Sequence, residues 1–347
     1  MESAIPSHLR CPRTRDARAS EDYVPPNPAY VARMGDDVEQ VVMAYVGVQY
    51  RTATGRSAAR AGIQRLRATA TGADAPGHHD TSFFVDAEGY ETIVWTAYWC
   101  DTAAFARWLA EPSEAAWWHS DERLTEGCGW FREVACPGAE RFETLFSTPN
   151  GAEGIGRLAP HLSGEIREHA YWGGMRDRLP IAQTDALRGG ASPEAAPRPG
   201  LRVRISGVEN RALIRSGQDW SRTQGEERRI YLEQVEPTLQ EGMDFLRDEG
   251  LKVGCLANRY VTLLDEDFSP IEKSCGVSWW QSLEHMERWA ESHPTHLAIF
   301  GTFMRMVQTM DYSVALGLYH EVAVLKAEDQ QFEYINCHPG TGLLRMA

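Results

Sequence analysis

Residues 91–108 read ETIVWTAYWCDTAAFARW, and residues 272–289 read EKSCGVSWWQSLEHMERW. Each stretch opens with a run that predicts a strand by its β-branched and aromatic content. An aromatic pair closes the strand (Tyr98-Trp99, Trp279-Trp280), and an Arg-Trp pair (Arg107-Trp108, Arg288-Trp289) follows at the same spacing on the next predicted helix. Working outward from the first copy, strands are expected at 41–50 and 81–85, the latter joined to 91–99 by the turn-like Asp86-Ala87-Glu88-Gly89. Helices are expected at 57–69 and 102–110, with a further strand within 131–146. Around the second copy the pattern predicts a strand at 210–216 and a helix over 226–247 that Pro237 and Gly242 bend. A hairpin of 252–264 with 272–280 follows, then a helix over 282–310 broken near Pro294, and strands at 316–325 and 332–335.

Both halves therefore read β-α-β-β-α-β, the ferredoxin-like order, and the fold class is α+β. Two such units can close their sheets face to face into an α+β barrel. The short turns between neighbouring strands imply antiparallel pairing and disfavour a doubly wound parallel sheet. The expected domains are an extended, Pro-rich N-terminal segment (1–40), a first half (41–187), a polar Pro/Gly/Ala-rich linker (188–208) and a second half (209–347).

The chain has 347 residues with 43% hydrophobic content, ample for a core without disulfides. Its formal net charge of -14 sets it against polyphosphate backbones and anionic lipid surfaces, so neither nucleic acid nor membrane is expected as a partner. No apolar run is long enough for a signal peptide or a bilayer span, and seven irregularly spaced cysteines read as reduced thiols, so a cytoplasmic protein is expected. There is no CxxCH for covalent haem attachment, no GxGxxG or Walker motif after a strand, and no paired CxxC.

Four local features carry potential chemistry. In Ser292-His293-Pro294-Thr295-His296-Leu297, Pro294 suits the first position of a helix, and from His296 the 4,3,4,3 spacing sets Phe300, Phe303, Val307 and Met310 on one apolar stripe. An imidazole heading an apolar wall suits the iron and plane of a porphyrin, although such a histidine is more often an ordinary core residue. His293 and His296 alone are too few for zinc. His320, inside the strand-like Leu318-Tyr319-His320-Glu321-Val322, is a natural proton donor and acceptor near neutral pH. Ser216, beside Gly217, can approach a ligand closely but lacks the Gly-x-Ser-x-Gly elbow of a serine hydrolase. The Gly-rich turn Tyr171-Trp172-Gly173-Gly174-Met175-Arg176 can present a guanidinium to a cavity.

At these residues the chain resembles the haem-containing aldoxime dehydratases, lyases that convert R-CH=N-OH into R-C≡N and water. The resemblance runs over nearly the whole chain. Its most specific blocks are FETLF (142–146), SGEIREHAYWGGMRDRLPIAQTD (163–185), ALIRSGQDW (212–220), RWAESHPTHLAIF (288–300), LYHEV (318–322) and EYINCHPGTGLL (333–344). The resemblance implies that His296 is the axial ligand of a ferrous haem b, that Phe300 and Phe303 line the cofactor, and that Ser216, Arg176 and His320 handle the oxime hydroxyl. It further implies a distal carboxylate at Glu143, a small-molecule aldoxime substrate, and a homodimeric α+β barrel. A haem peroxidase or haem-degrading enzyme, or a haem sensor or carrier of similar barrel fold, remains the alternative.

Overall fold

A strand rich in β-branched and aromatic residues lies at the centre of the core. In the computed structural model, which describes residues 1–190 and 201–346, the whole strand Val42–Tyr50 is buried on both faces. Residues 191–200 of the expected linker lie outside the described residues.

In chain order the strands are β1 (Ala32–Arg33), β2 (Val42–Tyr50), β3 (His78–Val85), β4 (Glu91–Trp99), β5 (Gly129–Ala135), β6 (Phe142–Phe146), β7 (His161–Leu162), β8 (Arg202–Ile205), β9 (Arg211–Asp219), β10 (Cys255–Leu264), β11 (Pro270–Trp280), β12 (Gly317–Leu325) and β13 (Gln330–Ile335). The helices are α1 (Ala53–Ala68), α2 (Thr102–Ala110), α3 (Pro112–His119), α4 (Gly174–Arg178), α5 (Gly225–Ile230), α6 (Glu236–Glu249), α7 (Leu283–Ser292) and α8 (Pro294–Thr309).

Among the described residues, eleven strands form one antiparallel sheet in the order β6-β12-β9-β11-β10-β3-β4-β2-β5-β13-β8, while β1 and β7 pair separately. Two four-strand runs, β5-β2-β4-β3 and β12-β9-β11-β10, share one order: fourth, first, third, second by sequence. They join where Thr262, Leu263 and Leu264 pair with Phe83, Ser82 and Thr81. Each run also takes a strand from the other's part of the chain: β6 pairs with β12, and β13 pairs with β5.

On one face Val42, Ala44, Val46 and Val48 pack with Trp95, Trp99 and Trp130 under α1 and α2. On the opposite face Met43, Tyr45, Tyr98 and Phe131 meet Leu213, Val261, Cys275, Val277 and Trp279, so the sheet curls until its two runs share an inner core. The outer face of the second run, with Ala212, Trp280 and Val322, is covered by α6 and α7 through Leu239, Met243, Leu246, Met286 and Trp289.

The structure departs from the sequence-based expectation at several points, one of them β8, which falls inside the expected linker and pairs with β13. The stretch 131–146 holds parts of two strands, β5 and β6, which run to different sheet neighbours. The helix expected over 226–247 is α5 and α6 joined by a π-helical turn, Tyr231–Val235. Pro237, which cannot donate a backbone hydrogen bond, follows just after that turn, where the backbone stays right-handed helical from Ile230 through Glu236. Gly242 lets α8 approach α6, since a Cβ there would lie 2.5 Å from Ile299 Cδ1.

One buried carboxylate locks the curled sheet. Glu133 on β5 is fully buried and accepts from Arg259 Nη1 at 2.8 Å and Nη2 at 2.5 Å, from Trp279 Nε1 at 2.8 Å and from Tyr334 Oη at 2.7 Å. Burial alone would raise its pKa, but Arg259 outweighs burial and holds the carboxyl below its ordinary value of 4.5. A carboxyl depressed on folding contributes stability above its unfolded value, and that stability is lost as pH falls through the folded value. Glu133→Gln should therefore cost about 3–5 kcal/mol at neutral pH by leaving Arg259 buried without its counter-charge. It should also flatten the loss of stability below pH 4.5. Urea unfolding at pH 7 and pH 4 checks both; equal stabilities for variant and wild type would refute the lock.

Candidate functional site

One cross-strand row crosses the outer face of the second run: Tyr260, Gly276, Ser216, His320 and Leu145 stand opposite one another on β10, β11, β9, β12 and β6. Because side chains alternate, Ile214 and Leu318 share that face. Ile214, Ser216, Leu318, His320 and Leu145 are all half-open, whereas their inward neighbours Leu213, Arg215, Tyr319 and Glu321 are buried. Partial exposure in the interior of a sheet marks a slot on the helix side. The Ser216 hydroxyl has no hydrogen-bond partner among the described residues, so it is free to bind a ligand.

His320 is held by two buried charges. Its Nε2 lies 2.9 Å from Glu143 Oε1 and 2.9 Å from Arg178 Nη2. Arg178 forks onto Glu143, with Nε to Oε2 at 2.6 Å and Nη2 to Oε1 at 3.1 Å, and donates to the Glu168 carbonyl at 2.7 Å. Burial pushes the Glu143 carboxyl up, but Arg178 and then His320 overcome it and hold the pKa below the ordinary value. A protonated Nε2 donates to Glu143; an unprotonated one accepts from Arg178. Each state of the ring has a partner, and Nδ1 has none among the described residues.

The guanidinium here is Arg178, not Arg176. Arg176 gives Nε and Nη2 to Glu287 on α7 at 3.0 and 2.6 Å and Nη1 to the Ala186 carbonyl at 2.9 Å, so its donors are spent away from His320. The cause is helical: two residues apart on α4, the two side chains leave the axis about 200° from each other. Sequence reasoning quoted the block with both arginines and had no signal to choose between them.

The second candidate group is carried by α8. Pro294 opens it, and its N-cap is His293, whose Nδ1 lies 2.9 Å from Thr295 Oγ1 while its ring stacks 4.4 Å from Phe245. His293 is thus a cap, and no group of three metal-binding side chains occurs among the described residues. His296 packs edge-on to Trp289 (4.7 Å) and Trp172 (5.7 Å). Its Nδ1 is buried with no hydrogen-bond partner. Burial lowers the pKa of this imidazole, with the Ala290 carbonyl pulling the other way, so the ring is neutral at pH 7 and keeps a lone pair.

The expected apolar stripe divides. Phe303 and Met310 pack with Ile230, Tyr231, Met306 and Leu316, whereas Phe300 is 46% exposed and lies 5.4 Å from Trp172. Leu297 and Trp172 are also exposed, at 42% and 40%. A neutral imidazole with an orphaned nitrogen, beside uncovered aromatic and aliphatic side chains, fits a flat apolar ligand that offers an electrophilic centre. The sequence pointed to the Gly-rich turn for its arginine; Trp172 in that turn was missed. A separate cavity of about 350 Å³ lies between α6 and the C-terminal segment, lined by Met243, Arg247, His338 and Arg345, and includes none of these residues.

Residues 44–343 match the family model of the haem-containing dehydratases. The chain is 48% identical over 350 positions to the aliphatic aldoxime dehydratase of Pseudomonas chlororaphis, covering 100% of this chain and 99% of that one. It is 34% identical over 331 positions to the phenylacetaldoxime dehydratase of Bacillus sp. (strain OxB-1), covering 93% of each. Among solved structures it superposes on an aldoxime dehydratase in complex with butyraldoxime with a TM-score of 0.95 and 47% identity, over 99% of this chain and 96% of the other.

The geometry yields a direct test of which arginine serves His320. In ring-nitrogen NMR, Arg178→Lys should displace the His320 resonances and Arg176→Lys should leave them in place. The reverse pattern would return the role to Arg176.

Proposed function

The chain belongs to the haem-containing dehydratases, and on that premise we propose that it is a lyase that dehydrates aldoximes to nitriles in the slot between the β9/β12 face and α8. The observation that carries this reading is the His320–Glu143–Arg178 cluster on the sheet, taken together with the His296 imidazole on α8, whose Nδ1 has no hydrogen-bond partner. His296 is the residue that would hold the haem iron, with Phe300, Leu297 and Trp172 against the macrocycle. When bound, a ferrous haem b would supply an iron able to bind the oxime nitrogen and donate electron density to it.

The chain's own residues handle protons. The reaction moves one proton onto the departing hydroxyl and removes one from the aldehydic carbon. His320 does both through its free Nδ1, giving a proton to the hydroxyl and then taking the carbon-bound one. Glu143 and Arg178 give its Nε2 a partner before and after each transfer. Ser216, directly opposite His320 in the sheet, donates to or accepts from the oxime oxygen. Arg178 takes the role that the resemblance had put on Arg176. A sensor or carrier needs no such proton-handling cluster.

We read the two four-strand runs as ferredoxin-like halves of an α+β barrel, with β13 contributed to the first half, and the assembly as a homodimer. No helix among the described residues is long and apolar enough to cross a membrane. All seven cysteines are free, which suits a reducing, cytoplasmic setting.

The test is nitrile formation by the reduced, haem-loaded protein given an aliphatic aldoxime, alongside its absorption spectrum. A positioned general acid is worth roughly 10² to 10⁴ in rate, so His320→Ala should keep the haem spectrum and lose about that much turnover. His296→Ala should lose the haem. Turnover near wild type in the first variant, or an unchanged axial signature in the second, would remove that residue from its role.

A further inference from the structure

Helix α4 carries Arg178 but has only five residues, far below the ~12–15 at which an isolated helix becomes even marginally stable. The N-terminal arm holds it from outside. Beyond the helix, Gln183 accepts the Cys11 amide on Oε1 at 3.1 Å, and its carbonyl accepts the Thr14 and Arg15 amides at 3.0 and 3.2 Å. Before the helix, Tyr23 Oη donates to the His169 carbonyl at 3.0 Å. Between these anchors stands Asp177, 2% exposed. Its Oδ2 accepts the Arg18 amide at 2.8 Å, the Ala19 amide at 3.3 Å and the Tyr171 hydroxyl at 2.8 Å.

The arm lies directly on the turn. Gly173, at φ 91°, has no room for a side chain, since a Cβ there would sit 2.6 Å from Arg18 Cγ. Further along, Ala4, Pro6, His8 and Leu9 wall a cavity of about 50 Å³ whose other side includes Glu143 and Arg178. The arm therefore contacts the helix before it, on it, beyond it and behind its functional arginine.

We infer that Asp177 is a positioning residue: by gripping the N-terminal arm and Tyr171 it fixes α4 so that Arg178 meets both Glu143 and His320. This rests on the aldoxime-dehydrating reading of the site. The Arg178–His320 contact is 2.9 Å, so a drift of well under 1 Å carries it past hydrogen-bond range, and a misplacement of that order costs about 10²-fold in rate.

The test uses the haem-loaded enzyme at matched haem content. Asp177→Asn should lower kcat about 10²-fold with KM little changed. Its effect should be non-additive with Arg178→Lys, because both act on one contact. Trypsin should then cut the native variant faster than the wild type at Arg10, Arg13, Arg15 or Arg18, which are exposed in the arm. Tyr171→Phe, which removes one donor to Asp177, should shift kcat in the same direction by less, and it serves if the first variant does not fold. Wild-type kcat in these variants, or a loss that adds in full to that of Arg178→Lys, overturns the inference. A wild-type protein that forms no nitrile is the separate failure of the dehydratase reading.

Discussion

The carboxylate of Glu133, sealed between the two runs of the sheet and neutralised by Arg259, is the constraint on which the rest of the structure depends. It ties β5 to β10, β11 and β13 at once. With the inner faces locked together, the outer face of β9 and β12 is left to the helices. There Ser216 and His320 stand side by side in a half-open slot. The buried core and the functional face are thus two sides of the same strands: Arg215 and Glu321 point inward, Ser216 and His320 outward.

The slot is asymmetric in its chemistry. Its sheet wall presents charged and polar groups whose protonation states are each matched by a neighbour. Its helix wall presents an imidazole and uncovered apolar side chains. The Gly-rich turn and α4 bridge the two, with Trp172 on the His296 side, Arg176 tied to α7 and Arg178 tied to the sheet. A short helix with little stability of its own can span both walls only because side-chain ion pairs and the N-terminal arm fix it in place.

Much of this was legible in the chain itself. Strand positions followed from β-branched and aromatic runs, and the break before α8 followed from Pro294. Ser216 and His320 were visible as chemistry-bearing residues on two predicted strands, but that those strands pair was not. The choice between Arg176 and Arg178 was not legible, because it depends on which side of one helical turn faces β6. Nor was the placement of β13, whose apolar pattern suits either run and whose partner is set by the chain's path after β12.

What the sequence by itself determined was residue type and local order: the β-branched and aromatic run that became β2, buried on both faces, the repeated strand and helix order, the histidine at the head of an apolar helix. What only the tertiary structure decided was adjacency. Glu143 reaches His320 because β6 crosses to the second run, and Asp177 reaches the N-terminal arm across some 160 residues of chain, a separation of 159 from Arg18. Local patterns are fixed by near neighbours and steric preference, whereas long-range pairs form only where closing the loop is repaid by burial and matched charge.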